Sequence, residues 1–130
     1  MKNVFSHLRV SSEYSITQGL LTINQIVESA VKHSIPSVAL TDRSNMFGLV
    51  KFFNKCEASG IKPISGSSIR VIFDDDEQSH ELLCLAKTNT GHKNLMRIIS
   101  SAHNNYSYQS PIINFKDLAK LKDDIIVISG

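Results

Sequence analysis

Five short apolar runs punctuate the chain: "SVALT" at 37–41, "IKPI" at 61–64, "SIRVIF" at 68–73, "ELLCLAK" at 81–87 and "DIIVIS" at 124–129. In the two longer gaps between them, and ahead of the first run, lie segments whose apolar residues recur every three or four positions. Continuous apolar runs of this length suit strands covered on both faces, and the second period suits helices laid against them. This alternation places the chain in the α/β class. It predicts parallel β-α units, with helices outside and sites at the carboxyl ends of the strands.

The individual elements can be read in order. "VFSHLRV" at 4–10 alternates and predicts a first strand ending near Val10, followed by the polar loop "SSEYSITQG". Thr22 caps a helix whose stripe is Ile23, Ile26, Val27, Ala30 and Val31, and Pro36 enforces its stop. "LVKFFNKCEAS" places Leu49, Phe52, Phe53 and Cys56 on one helix face, with Gly60 as its C-terminal cap. "SGS" at 65–67 interrupts two strands, and "DDDEQS" is a charged turn. "GHKNLMRIISSAH" turns Leu95, Ile98, Ile99 and Ala102 inward. "NNYSYQSP" is a loop, "NFKDLAKLK" a short helix and "DIIVIS" a last buried strand.

Composition narrows the function. A net charge of +2 with scattered basic residues gives no nucleic-acid footprint, and 42% hydrophobic with 20% charged residues describes a globular chain. Cys56 and Cys84 are the only cysteines and form no CxxC pair, so free buried thiols in a reducing compartment are expected. No signal peptide or membrane span is read, which predicts a soluble, cytoplasmic protein. A complete β/α barrel usually needs roughly 250 residues. The 130 residues therefore suggest an N-terminal piece of something larger, or a sheet that covers its open edge by association; a small, complete open-sheet domain is the alternative.

Four segments in register carry a resemblance: "HLRVSSEYS" at 7–15, "ALTDRSNMFGLVKF" at 39–52, "GIKPISG" at 60–66 and "LAKTNTGHKNL" at 85–95. Together they resemble the start of bacterial DNA polymerase III alpha subunits, their PHP (polymerase and histidinol phosphatase) domain. The likeness runs through essentially the whole chain. It implies that residues 1–130 are a single partial PHP domain, the N-terminal half of a distorted seven-stranded β/α barrel. The family's metal cluster lies at the strand ends, and the polymerase palm, thumb and fingers lie beyond this region. The relatives are DNA-directed DNA polymerases (nucleotidyltransferases), but none of the polymerase's own catalytic aspartates falls here, so the chain alone is expected to be inactive.

Set against that family's metal motifs, the ligands are mostly missing. Arg9 and Ser11 hold the two positions of its His-x-His pair. Thr41-Asp42-Arg43-Ser44 stands for Thr-Asp-His-Gly, Ser68 for a bridging glutamate and Glu81 for a later histidine. His80 is one residue off and so faces the other way. A divalent ion ~4 Å from one guanidinium, at an effective dielectric near 20, meets repulsion on the order of 8 kcal/mol. No catalytic residue, metal or cofactor is therefore expected, with Arg9, Ser11, Asp42, Arg43, Ser68 and Glu81 left as vestiges. Arg9 and Arg43 are expected to form rim ion pairs with Asp42 and Glu81, or else to extend into solvent.

The other candidates read as scaffold. His7 shares a face with Arg9 and suits a rim histidine, while His33, His92 and His103 are expected to face solvent. Ser11, Ser12 and Ser15 lack an orienting base. "SGSS" lacks the P-loop pattern, and "DDDE" at 74–77 lacks the ligand alternation of a calcium loop. Phe52 and Phe53 are expected in the core.

The resemblance implies a role in DNA replication as a non-catalytic structural and subunit-docking platform. Its partners would be the remainder of the alpha subunit and the proofreading exonuclease subunit, with DNA met only through the complete polymerase and no membrane. The alternative is a metal-dependent phosphoesterase or 3'-5' exonuclease, for which Asp42 is the argument. A third reading is a phosphate or single-strand contact by Arg9 and Arg43.

Overall fold

The computed structural model describes residues 6–14, 21–73, 78–104 and 111–129. The calls on residues 4 and 5 of the first strand, on residues 15–19 of the loop after it, on the "DDDE" turn and on residues 105–110 lie outside them. Helix α1 (Ile23–Lys32) begins in a capping box: the Gln25 N–H donates to Thr22 Oγ1, and the Thr22 N–H donates to Gln25 Oε1. Its end is set earlier than Pro36. Ser34 takes a left-handed φ of 55°, and the Ile35 N–H closes back on the Ala30 carbonyl. Val31, expected in the buried stripe, is 50% exposed, because the helix seats only Ile23, Ile26, Val27 and Ala30.

Strand β1 (Ser37–Leu40) leads through the 41–48 loop to α2 (Leu49–Ser59), which Gly60 terminates at φ 74°. Strand β2 (Lys62–Ile72) runs unbroken through "SGS", where an interruption was expected. The reason is close packing at Gly66. A Cβ there would lie 2.7 Å from Leu85 Cδ2 and 2.9 Å from the Cys84 carbonyl, so glycine lets the chains approach without leaving the strand. Strand β3 (Ser79–Ala86), helix α3 (Asn89–Asn104), strand β4 (Ile113–Asn114), helix α4 (Phe115–Lys120) and strand β5 (Ile125–Ser129) follow.

The sheet order is β1-β2-β3-β5, with β4 beside β2. Only β1–β2 and β2–β4 are parallel; β2–β3 and β3–β5 are antiparallel. The expected all-parallel β-α units are thus corrected to a mixed sheet. With no helix separating the "SIRVIF" and "ELLCLAK" runs, β3 returns directly alongside β2.

The packed helices lie on one side of the sheet. One apolar cluster joins α1 and α2 to Val38 and Leu40, and a second joins α3 and α4 to Ile69, Val71 and Cys84. On the opposite, helix-free side, Ala39, Leu83 and Leu85 group with Ile64 and Ile128. Strand β5, expected to be buried, is an edge strand, and Ile126 and Val127 are nearly half exposed.

The residues before β1 also depart from a regular strand. His7 forms an isolated parallel bridge with Val38. The His7 carbonyl accepts from Ala39 N, and the Val10 carbonyl accepts from Thr41 N. Three steps on one chain thus match two on the other, which makes a bulge at Leu8–Arg9. The extra residue rotates the chain, so His7 and Arg9 do not share a face as expected.

Candidate functional site

The polar end of the helix-free side is built by register. Arg43 bridges Ser68, Ser68 and Arg70 lie two residues apart on β2, and Arg70 is opposite Glu81 on β3. Alternation along strands puts these four on the same side as Ile64 and Leu85. Arg9 joins them after the bulge, with Nη2 donating to Glu81 Oε1 at 3.2 Å. Ser11, two residues on from Arg9, is half-buried.

Asp42 belongs to the other side. Leu40 pairs with Ser65 and Arg43 with Ser68, so Asp42 falls next to Ser67, and the Ser67 hydroxyl donates to the Asp42 carbonyl at 2.7 Å. Its carboxylate is 1% exposed and is held by the 11–14 segment. Ser12 N–H donates to Oδ1 and Ser12 Oγ to Oδ2, both at 2.6 Å. Short bonds to an ionised acceptor are the strong kind, and here they fasten the loop after the first segment to the end of β1.

These residues do not fit a divalent metal cluster. Two of the six positions are guanidiniums, two are hydroxyls, Glu81 receives Arg9, and Asp42 is engaged by Ser12 inside the protein. Among the described residues, no three His, Cys, Asp or Glu side chains come together as a metal site.

The loop beside the site is pinned by contacts that local sequence patterns do not reveal. Ser44 takes φ 50°; its N–H donates to the Ser68 carbonyl, while its own carbonyl lies 2.7 Å from His103 Nε2. Asn45 Nδ2 donates to the carbonyls of Tyr14 and Arg43. His103 is exposed, as expected, while its Nε2 reaches the site loop. His92 is partly buried and lies 2.9 Å from Ser65 Oγ through Nδ1, which corrects the expectation of a solvent-facing ring. His33 is exposed and caps the end of its own helix at the Ser29 carbonyl. His80, on the face opposite Glu81, packs edge-on against Phe73.

The Ser65–His92 pair lines a cavity of about 860 Å³ with Lys62 and Lys87, a feature sequence reasoning missed. Among the described residues no carboxylate orients the imidazole, so the pair lacks the third member that makes serine a nucleophile. The thiols are equally quiet: burial pushes Cys56 up to about 11 and Cys84 to about 12. Phe52 is fully buried and Phe53 packs against the same cluster.

A mixed sheet with the packed helices on one side and a polar strand-end cluster on the other defines an α/β domain. The chain belongs to the PHP domain family, whose model matches residues 7–130. It is 41% identical over 129 residues to the DNA polymerase III subunit alpha of Escherichia coli K12, covering 97% of this chain and 11% of that protein. The subunit alpha of Borreliella burgdorferi is 36% identical over 135 residues, covering 97% of this chain and 12% of the relative. For Bacillus subtilis the figures are 40% over 97 residues, 74% and 9%. The chain thus spans about a tenth of the length of these relatives.

Among solved structures, a metal-dependent phosphoesterase-type protein of Bifidobacterium adolescentis superposes with TM-score 0.56 and 18% identity, covering 76% of this chain and 34% of its own. An amidohydrolase from Chromobacterium violaceum gives 0.55 and 16%, covering 92% and 49%. At such identities the likeness is one of fold. No helix among the described residues is long and apolar enough to cross a membrane.

Proposed function

We propose that this chain is a single partial PHP domain of a DNA polymerase III alpha subunit, acting in DNA replication as a non-catalytic structural and docking platform in the cytoplasm. On this reading it is the N-terminal half of a seven-stranded barrel. Its partners are the remainder of the alpha subunit and the proofreading exonuclease subunit, and it meets DNA only through the complete polymerase. The observation that supports the reading is the Arg9–Glu81 pair at 3.2 Å, since the resemblance gives both positions to metal-binding imidazoles. Needing no metal or other cofactor, the rim is held by Arg9–Glu81 and by the Ser12 bonds to Asp42.

The test is elemental analysis after chelation and re-exposure to zinc and manganese, alongside co-purification with the exonuclease subunit. The reading requires less than stoichiometric metal, no phosphoesterase turnover, and capture of the exonuclease. Stoichiometric metal with turnover would establish the second reading, a metal-dependent phosphoesterase or 3'-5' exonuclease, which the fold of the solved neighbours favours. Failure to capture the exonuclease would remove the docking role.

A further inference from the structure

The cavity beside Ser65 and His92 arises from the unequal reach of two strands. The β2–β3 register ends at Gly66 and Leu85, whereas β2 starts at Lys62, so among the described residues 62–65 pair with β1 alone. The chain leaves β3 at Ala86 and turns into α3, where Gly91 N–H donates to Thr88 Oγ1. Residues 62–65 and 85–89 line the resulting gap of about 860 Å³. Its apolar wall comes from Val50 and Phe53 of α2, Ile64 and Leu85 of the two strands, and Ile126 and Ile128 of β5. Val50 and Ile126 are exposed, so part of this wall faces open space. The charged residues of the lining are Lys62 and Lys87. Both are exposed, and among the described residues neither ammonium has an ion-pair partner. Alternation puts Lys62 on the side of Ile64, and Lys87 follows Leu85 by two. Asp123 and Asp124 lie outside the lining, although the Asp124 carbonyl accepts from Lys87 N–H. Ser65 is buried and its hydroxyl meets His92 Nδ1 at 2.9 Å; with the hydroxyl donating, Nε2 carries the ring proton.

We propose that this cavity binds an anionic amphiphile, a straight-chain carboxylate whose tail covers the apolar wall and whose head is met by Lys62 and Lys87. Apolar clefts with a few convergent polar groups are the usual form of a small-molecule site, and the volume falls within the roughly 300–1,000 Å³ of such sites. A ligand made only of hydrocarbon would draw two ammonium groups partly out of water with nothing in return. A small anion without a tail would leave the apolar wall in water and gain only a screened charge contact. A molecule with both parts meets both conditions. Its tail removes apolar area from water, and its head lies beside two cations and the imidazole N–H. The lining holds no carboxylate to compete for the lysines. The Ser65–His92 pair acts here as a donor and not as a nucleophile, since no carboxylate of the lining orients the ring. The inference does not depend on the docking role proposed above.

The test is calorimetric titration of the whole 130-residue chain with hexanoate, octanoate and decanoate at neutral pH, below micelle formation. Saturable binding is expected, tightening by about threefold for each added methylene. Decyltrimethylammonium has the same tail and the opposite charge, and it should bind at least about tenfold more weakly than decanoate. Lys62→Gln/Lys87→Gln should weaken decanoate binding by about fivefold. Lys32→Gln/Lys51→Gln, whose lysines lie outside the lining, should stay within about twofold of the parent. Nuclear magnetic resonance of the unaltered protein locates the ligand without any variant: the amides of Ile64, Lys87 and Ile126 should shift with decanoate, and those of α1 should not. Unsaturable decanoate binding, equal affinity for the two decyl probes, unchanged binding by the Lys62/Lys87 variant, or shifts confined to residues outside the lining would overturn the proposal.

Discussion

Arg9 Nη2 stands 3.2 Å from Glu81 Oε1, tying the segment before β1 to β3 across the two strands between them. The bond spans 72 residues of sequence and depends on the bulge that turns Arg9 toward Glu81. With side chains 51% and 24% exposed, its stabilisation is modest. A double-mutant cycle of Arg9→Gln and Glu81→Gln, read by urea denaturation, should give a coupling of about 0.2–1 kcal/mol that shrinks at high salt. A coupling insensitive to salt would mean that the pair is more enclosed than its exposure indicates.

Asp42 contributes more than its surface neighbours. Ser12 is fully buried, and both its N–H and its hydroxyl donate to the Asp42 carboxylate. Asp42→Ala strands both donors and should lower stability by about 3 kcal/mol, whereas Ser12→Ala removes one of the two bonds and should cost about 1.5 kcal/mol. The order of the two losses in urea midpoints is the check. Equal losses would show that the hydroxyl bond carries the whole effect.

Local chemistry was legible, and long-range partners were not. Thr22 announced α1, Gly60 ended α2, and the Leu95, Ile98 and Ala102 stripe placed α3, because each is decided within a few residues. The Gln25 half of the capping box is equally local, although only Thr22 was read. "SGS" misled because glycine marks both turns and tight strand crossings, and only the position of Leu85 separates the two. The bulge at Leu8–Arg9 has no glycine to signal it. His103 finds its acceptor at Ser44, 59 residues away, and His92 finds Ser65, 27 residues away, so no period in the sequence encodes either. That Arg9, Arg43 and Ser68 cluster at one end of the helix-free side was not spelled out by any local pattern. That Asp42 points away from Arg43 needed the register.

Burial of Cys56 and Cys84 sets the direction of a pH response. Both thiols ionise near 9.0 when unperturbed, and burial raises them to about 11 and about 12 in the folded chain. Below pH 9 both states hold the proton, and the thiols add no pH dependence. Above it the unfolded chain binds fewer protons, so stability falls as pH rises toward 11–12, by up to about 1.4 kcal/mol per unit for each thiol. Cys84→Ala should flatten that decline relative to the parent in urea midpoints taken across the alkaline range. Near pH 8, thiol reagents should label neither residue until denaturant is added.

Gly91 is the position where one methyl group would do the most damage. In a helix, alanine ordinarily stabilises over glycine by about 1 kcal/mol. Here a Cβ would stand 2.1 Å from the Asp124 carbonyl oxygen, a backbone atom held in place by Lys87 N–H at 2.8 Å. Asp124 itself takes a left-handed φ of 60°, and Asn94 Nδ2 bonds the adjacent Asp123 carbonyl, so the loop before β5 has little room to retreat. Gly91→Ala should therefore cost about 3 kcal/mol despite its better helix propensity. Gly60→Ala, with φ 74° but open space around it, should cost only about 1 kcal/mol. Hydrogen exchange separates the mechanisms: Gly91→Ala should expose the Lys87 amide and the β3–β5 ladder first, whereas Gly60→Ala should fray the end of α2.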